Sequence, residues 1–121
     1  LKFVKINTNA IEYDYSEPVP DFDFLEAEAT KDSALFDRTV ACMHAAPYSE
    51  QFNNNVLKPF NYYVMNFPNL MFCLYGHGHQ IDEHDFFNNG IIYYEVAAAK
   101  KRKYRIFTIT PNGYANEVIS L

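Results

Sequence analysis

Two short, unbroken apolar runs constrain this chain more than any other feature: Thr39-Val40-Ala41-Cys42-Met43 and Leu70-Met71-Phe72-Cys73-Leu74-Tyr75. A strand with one face in water alternates apolar and polar residues, whereas a run without alternation suits a strand covered on both faces. Such strands need flanking layers, and the rest of the chain offers them. Asp21 is a fitting N-cap for a helix expected over 22–35, whose first turns carry acids where the helix dipole favours them. A second helix is expected from about Pro59, a residue tolerated in a first turn, with Phe60, Tyr63, Val64 and Phe67 on its apolar face. Residues 1–7 alternate well enough for a strand. Asn88-Asn89-Gly90 signals a turn before a strand from Ile91 to about Ala98. The last third reads as a hairpin, 104–110 and 114–121, around Thr110-Pro111-Asn112-Gly113, with proline at the second turn position and glycine at a positive φ. The expected order is β-α-β-α-β-β-β-β, an α/β start closed by an antiparallel tail. No repeat, low-complexity tract or linker divides the 121 residues, so one domain over 1–121 is expected.

Composition narrows the function classes. With 49% hydrophobic and 21% charged residues the chain has the makings of a core and is not a disordered polyelectrolyte. No apolar run approaches the ~18–20 residues of a membrane span. A net charge of −5 argues against a general nucleic-acid binder. The one basic cluster, Lys100-Lys101-Arg102-Lys103 with Arg105, reads as a solvated turn between strands. Cys42 and Cys73 are too few for a disulfide scaffold and sit in apolar runs, where a free thiol behaves as a small hydrophobe, which leaves the compartment open. The sequence starts at Leu1 without an initiator Met or a signal segment, and its true beginning is expected further upstream.

The chemistry concentrates in one place. Of 4 histidines and 4 glycines, Gly76, His77, Gly78, His79 and His84 fall within a few residues of one another. His77 and His79 directly follow the second apolar run, and His44 follows the first. If the two strands are neighbours, all three imidazoles meet at their carboxyl ends, the edge where open α/β sheets bind ligands. Gly76 and Gly78 are expected to let the backbone bend tightly around the pair. Neutral imidazole is a common ligand for zinc, iron, manganese and nickel, so His44, His77 and His79 are candidate metal ligands. His84, among Asp82, Glu83 and Asp85, reads as a packing or surface residue. Tyr48 and Asn53-Asn54-Asn55, in the loop after His44, suit either a pocket wall or plain turn chemistry.

Met43-His44-Ala45-Ala46-Pro47, followed by Leu74-Tyr75-Gly76-His77-Gly78-His79 and an antiparallel tail, resembles the C-terminal half of the calcineurin-like metallophosphoesterases. In that family a late strand ends in a single His, commonly followed by prolines, and the next ends in Gly-His-x-His. Residues 1–7 resemble the strand opening the second half, and Ile109-Thr110-Pro111-Asn112-Gly113-Tyr114 a usual closing hairpin. Ala46 stands where the family often has proline, and Gly78 at a variable position. The resemblance implies the C-terminal half of a four-layer αββα sandwich with a mixed sheet. It also implies two divalent metal ions (Mn, Fe, Zn or Ni), His44 and His77 on one and His79 on the other, and a phosphate-ester substrate.

The family's first half carries Asp-x-His, Gly-Asp-x-x-Asp and Gly-Asn-His motifs, and none of them precedes His44 here; the Asp-x-His spelled by Asp82-Glu83-His84 lies after the candidate ligands. The chain therefore resembles the second half of a larger hydrolase, inactive by itself and prone to self-association through uncovered sheet edge and apolar face. Two other readings stand beside it. One is a small zinc module held by Cys42, Cys73 and the histidines, since zinc accepts mixed sulfur and nitrogen ligands. The other is an interaction domain whose histidines bind nothing.

Overall fold

The computed structural model describes residues 1–31, 34–96 and 98–121. It is a mixed α/β structure with a mostly parallel sheet and a separate antiparallel hairpin. The elements are β1 (Lys2–Ile6), α1 (Phe22–Thr30), β2 (Thr39–Met43), α2 (Leu57–Met65), β3 (Leu70–Tyr75), β4 (Asp82–His84), β5 (Tyr93–Glu95), β6 (Lys103–Thr110) and β7 (Gly113–Ser120), with short 3-10 turns between some of them. The sheet order is β1-β2-β3-β5-β4, in which only β4 runs antiparallel. Strands β6 and β7 form their own two-stranded ladder.

The first three strands step across the sheet in one direction. Right-handed crossovers between parallel strands then deliver both helices to the same face. The helices meet there, with the Phe22 and Tyr63 rings stacked at 5.3 Å. Val4, Ile6, Ala41, Met43, Cys73, Tyr75 and Tyr93 form the sheet's side of this core, and Leu25, Phe60 and Val64 the helices' side. Alternate residues of the same strands point the other way: Val40, Cys42, Phe72, Leu74 and Tyr94 meet Phe107, Ile109 and Tyr114 of the hairpin. The unbroken apolar runs are explained by this sandwiching, helices on one face and the hairpin on the other. β1 lies outside the hairpin's cover, which is why it alternates and leaves Phe3 59% exposed.

Local chemistry accounts for the helix boundaries. Asp21 is the N-cap of α1, its carboxylate accepting from the N–H groups of Asp23 and Phe24. The helix stops at Thr30, short of the expected 35, because Lys31 is already extended; residues 32 and 33 lie outside the described set. Lys2 secures that end. Its ammonium lies 2.8 Å from Glu28 and donates to the carbonyls of Glu28 and Lys31, as a cation at a helix C-terminus should. α2 begins at Leu57 and takes Pro59 into its first turn, and Phe67 packs in the core just beyond the helix end.

Three details correct the sequence reading. A short strand, β4, was not expected; it pairs with β5 and places Asp82 opposite Glu95. The strand expected from Ile91 to Ala98 is regular only over Tyr93–Glu95, and Ala97 lies outside the described residues. Gly113 is not in the left-handed region but opens β7 opposite Thr110. Proline at the second turn position suffices to reverse the chain there. No helix among the described residues is long and apolar enough to cross a membrane.

Phe72 is the keystone of the hairpin face, 2% exposed and within 4.5 Å, ring to ring, of both Phe107 and Tyr114. Phe72→Ala is expected to destabilise the fold by about 3–5 kcal/mol. Urea unfolding measures it, and a loss below about 1 kcal/mol would mean that the hairpin does not seal this face.

Candidate functional site

Because β2 and β3 are parallel neighbours with Cys42 level with Leu74, their carboxyl ends come out side by side. One further backbone rung follows, as the Gly76 N–H donates to the His44 carbonyl at 3.1 Å. On the other side of His44, buried Thr8 holds the next residue: its hydroxyl donates to the Ala45 carbonyl at 2.7 Å and accepts from the Ala45 N–H at 3.0 Å. The two exits fixed in this way bring the His44 and His77 rings together, edge to face, with centroids 5.2 Å apart. His44 is exposed, and the His77 side chain is about a third exposed with Nε2 3.9 Å from a Glu50 carboxylate oxygen.

His79 sits further round the same loop and is exposed. The structure thus juxtaposes two of the three candidate ligands. Among the described residues no three His, Cys, Asp or Glu side chains are grouped so as to hold a metal. Two adjacent imidazoles on an open rim have the donor chemistry for part of a metal's coordination shell, and the other ligands would have to come from elsewhere. The thiols do not complete it. Cys73 packs in the helix-side core and Cys42 against the hairpin side, so they belong to opposite faces of the sheet. Burial pushes the Cys73 thiol up to about 12, which keeps it protonated at neutral pH.

The loop bends differently from the sequence expectation. Its left-handed residues are the histidines themselves, His77 at φ 70° and His79 at φ 59°, while Gly76 and Gly78 are outside that region. Gly76 has ordinary room, since an added Cβ would lie 3.9 Å from His44 Nδ1. Gly78 has none: a Cβ there would collide with Oε2 of Glu95 and come within 3.0 Å of its Cδ. Close approach to a carboxylate, and not backbone freedom, is the reason for glycine at 78.

Glu95 is the residue that the sequence reading missed. It ends β5 between Tyr75 and Asp82, is 3% exposed, and its Oε2 has no hydrogen-bond partner among the described residues. Burial raises its pKa. The Asp82 charge adds to that rise, while the nearby peptides of Gly78 and Gln80 and the His77 ring oppose it. A lone carboxylate inside Tyr93-Tyr94-Glu95-Val96 was the available signal. Glu95, Tyr75, His77, Gly78, Asp82 and His84 share a cavity of about 250 Å³. Asp82 is held below the usual carboxylate range, first by the Glu83 N–H and then by His84, whose Nε2 is 2.9 Å away. His84 is exposed and stacks at 5.1 Å on Phe86, in keeping with a surface role.

Next to this cavity lies a larger one of about 670 Å³, walled by Tyr48, Phe86, Phe87, Asn54 and Lys58. Tyr48 takes a left-handed φ of 72°, and Asn54 staples the turn by accepting from the Tyr48 N–H and donating to the Ser49 carbonyl, each at 2.9 Å. The Asn-rich loop is therefore turn chemistry and pocket wall at once. Arg105 leaves the basic cluster altogether. It donates to the carbonyls of Glu95 and Asp82 and to Asn116, and lies 5.0 Å over the Tyr94 ring. Lys100 to Lys103 remain exposed around a short turn.

No protein-family model, no curated protein and no solved structure matches this chain.

Gly78→Ala forces either the loop or Glu95 to move and is expected to destabilise by about 1–3 kcal/mol, as other overpacked sites do. Gly76→Ala, whose Cβ would meet only an ordinary van der Waals contact, is expected to lose far less. Thermal unfolding of the two variants side by side checks this; equal losses would mean that the Glu95 contact is not tight.

Proposed function

We propose that this chain is the C-terminal part of a metal-dependent phosphoesterase, its helix layer and sheet belonging to one half of an αββα sandwich. The observation that carries the reading is the pair of imidazoles, His44 and His77, 5.2 Å apart at the carboxyl ends of neighbouring parallel strands. In this reading His44 and His77 hold one divalent ion and His79 the other, and the carboxylate ligands come from the Asp-x-His, Gly-Asp-x-x-Asp and Gly-Asn-His motifs of a preceding half. When bound, such a pair of ions supplies Lewis acidity and a hydroxide for in-line attack at phosphorus. This chain's own part is to present neutral imidazole nitrogens from a fixed rim and to wall the substrate side with the Tyr48 loop and Phe86.

Two measurements test the reading. Zinc, nickel or manganese should raise the melting temperature, because a ligand bound only by the native state stabilises it, by about 2.7 kcal/mol at a hundredfold excess over Kd. The rise should vanish in His77→Ala. No shift with any divalent ion would favour the interaction-domain reading instead. Hydrolysis of an aryl phosphate diester by the isolated chain with added manganese or zinc should not exceed the metal-only background, since the bridging carboxylate is absent. Turnover that is lost in His77→Ala would overturn this.

The same reading leaves the chain short of its neighbouring layers, and Phe3 on the edge strand β1 and Leu35, 59% and 75% exposed, support self-association. Light scattering should report a dimer or larger species; a clean monomer would count against it.

A further inference from the structure

The larger cavity beside the imidazole rim is walled by rings. Its volume of about 670 Å³ lies within the range of small-molecule sites. Tyr48, Phe86 and Phe87 line it together, with the Tyr48 ring 6.0 Å from that of Phe86 and 6.2 Å from that of Phe87. Two of these walls are backed by the core. Phe86 and Phe87 each lie against the ring of buried Tyr93, at 5.2 Å and 6.1 Å.

The third wall is held differently. Tyr48 is 59% exposed and takes a left-handed backbone, a costly conformation for a bulky residue that burial does not offset here. Asn54 pins that turn with both ends of its amide. A packing residue would be covered; this ring is kept in solvent by a strained and stapled turn, as a wall that awaits a ligand is. The rest of the lining includes the amides of Asn55 and Asn88 and the ammonium of Lys58, its only charged side chain among the described residues. Ring faces suit a flat apolar group, amides suit its polar edge, and an ammonium suits an anion.

Position names the occupant. Tyr48 and Phe86 also line the smaller cavity, into whose wall His77 enters. The two spaces are neighbours across one pair of rings. An ester with its phosphorus beside the imidazoles therefore has its alcohol portion next to the larger cavity.

We propose that the larger cavity is the subsite for the alcohol portion of the phosphate ester, and that it selects a planar aromatic group over an aliphatic chain. The proposal rests on the phosphoesterase reading for the phosphate, and on the three rings alone for the planar group. Simple aryl esters and nucleotides share this chemistry, and the test separates them.

NMR titration of the chain follows the rings of Tyr48, Phe86 and Phe87 and, separately, the imidazoles of His44 and His77. The probes are naphthyl phosphate, adenosine monophosphate and hexyl phosphate, each with and without zinc, and naphthol, which has no phosphate. At least one planar ester should shift the Tyr48 and Phe87 rings and bind about fivefold more tightly than hexyl phosphate, or better, the lower end of what stacking on an aromatic side chain supplies. The tighter of the two identifies an aryl or a nucleoside group as the better fit. Tyr48→Leu should cancel that preference and leave hexyl phosphate binding unchanged. Phe87→Leu, which keeps an apolar side chain against Tyr93, should weaken it too and serves if the first variant does not fold. Equal binding of the three esters, no binding of any, or full preference in whichever variant folds overturns the subsite. Naphthol that shifts the Tyr48 and Phe87 rings in a chain whose His44 and His77 do not respond to zinc overturns the phosphoesterase reading and leaves the aromatic subsite standing.

Discussion

The rim of this molecule depends on a single backbone hydrogen bond, from the Gly76 N–H to the His44 carbonyl. It continues the parallel β2–β3 ladder one step past the regular strands, at the place where each chain would otherwise be free to turn away. Level strand ends alone would leave the two exits independent. With that rung made, and Ala45 held by Thr8 on its other side, the two imidazoles have little choice but to face each other. The geometry that supports metal ligation is thus a property of sheet register before it is a property of histidine.

The two faces of the sheet do different work. The helix face carries the larger core and contributes Tyr75 and Cys73, whose ionisation burial suppresses. The hairpin face is smaller and almost wholly aromatic at its centre, with Phe72, Tyr94, Phe107 and Tyr114 in mutual ring contact. Tyr94 and Tyr114 join their hydroxyls at 2.9 Å, which satisfies two polar groups that this packing would otherwise strand. A chain without tryptophan fills its second core with stacked phenyl and phenol rings instead.

What could be read from the residues followed from strong local signals. The unbroken runs at 39–43 and 70–75 gave buried strands, Asp21 gave a helix start, and Pro111 a turn, because each rests on chemistry confined to a few neighbours. The pairing of His44 with His77 was legible once the two runs were taken as adjacent. What escaped depended on contacts distant in sequence. β4 is only Asp82–His84, three polar residues that become a strand because β5 offers them an edge. Glu95 carried no motif, and its burial against Gly78 exists only after β3 and β5 pair. Gly78 was noticed for the wrong reason: its lack of a side chain was taken for backbone freedom, when it is room made for another residue's oxygens. Arg105 was counted with a surface cluster from which tertiary structure removes it.

That removal bears on the order in which the molecule can be completed. Arg105 lies in β6 yet bonds to the carbonyls of Glu95 and Asp82, tying β5 and β4 to the hairpin as well as to each other. During synthesis the histidine side of the rim, built from β2 and β3, can assemble as soon as those strands and their helices have emerged. The carboxylate side is completed only with the tail, since the Arg105 side chain that bonds the Glu95 and Asp82 carbonyls comes from the hairpin. A growing chain therefore passes through a stage in which its imidazoles are in place beside a wall that is still open, and the hairpin that follows in the chain closes it.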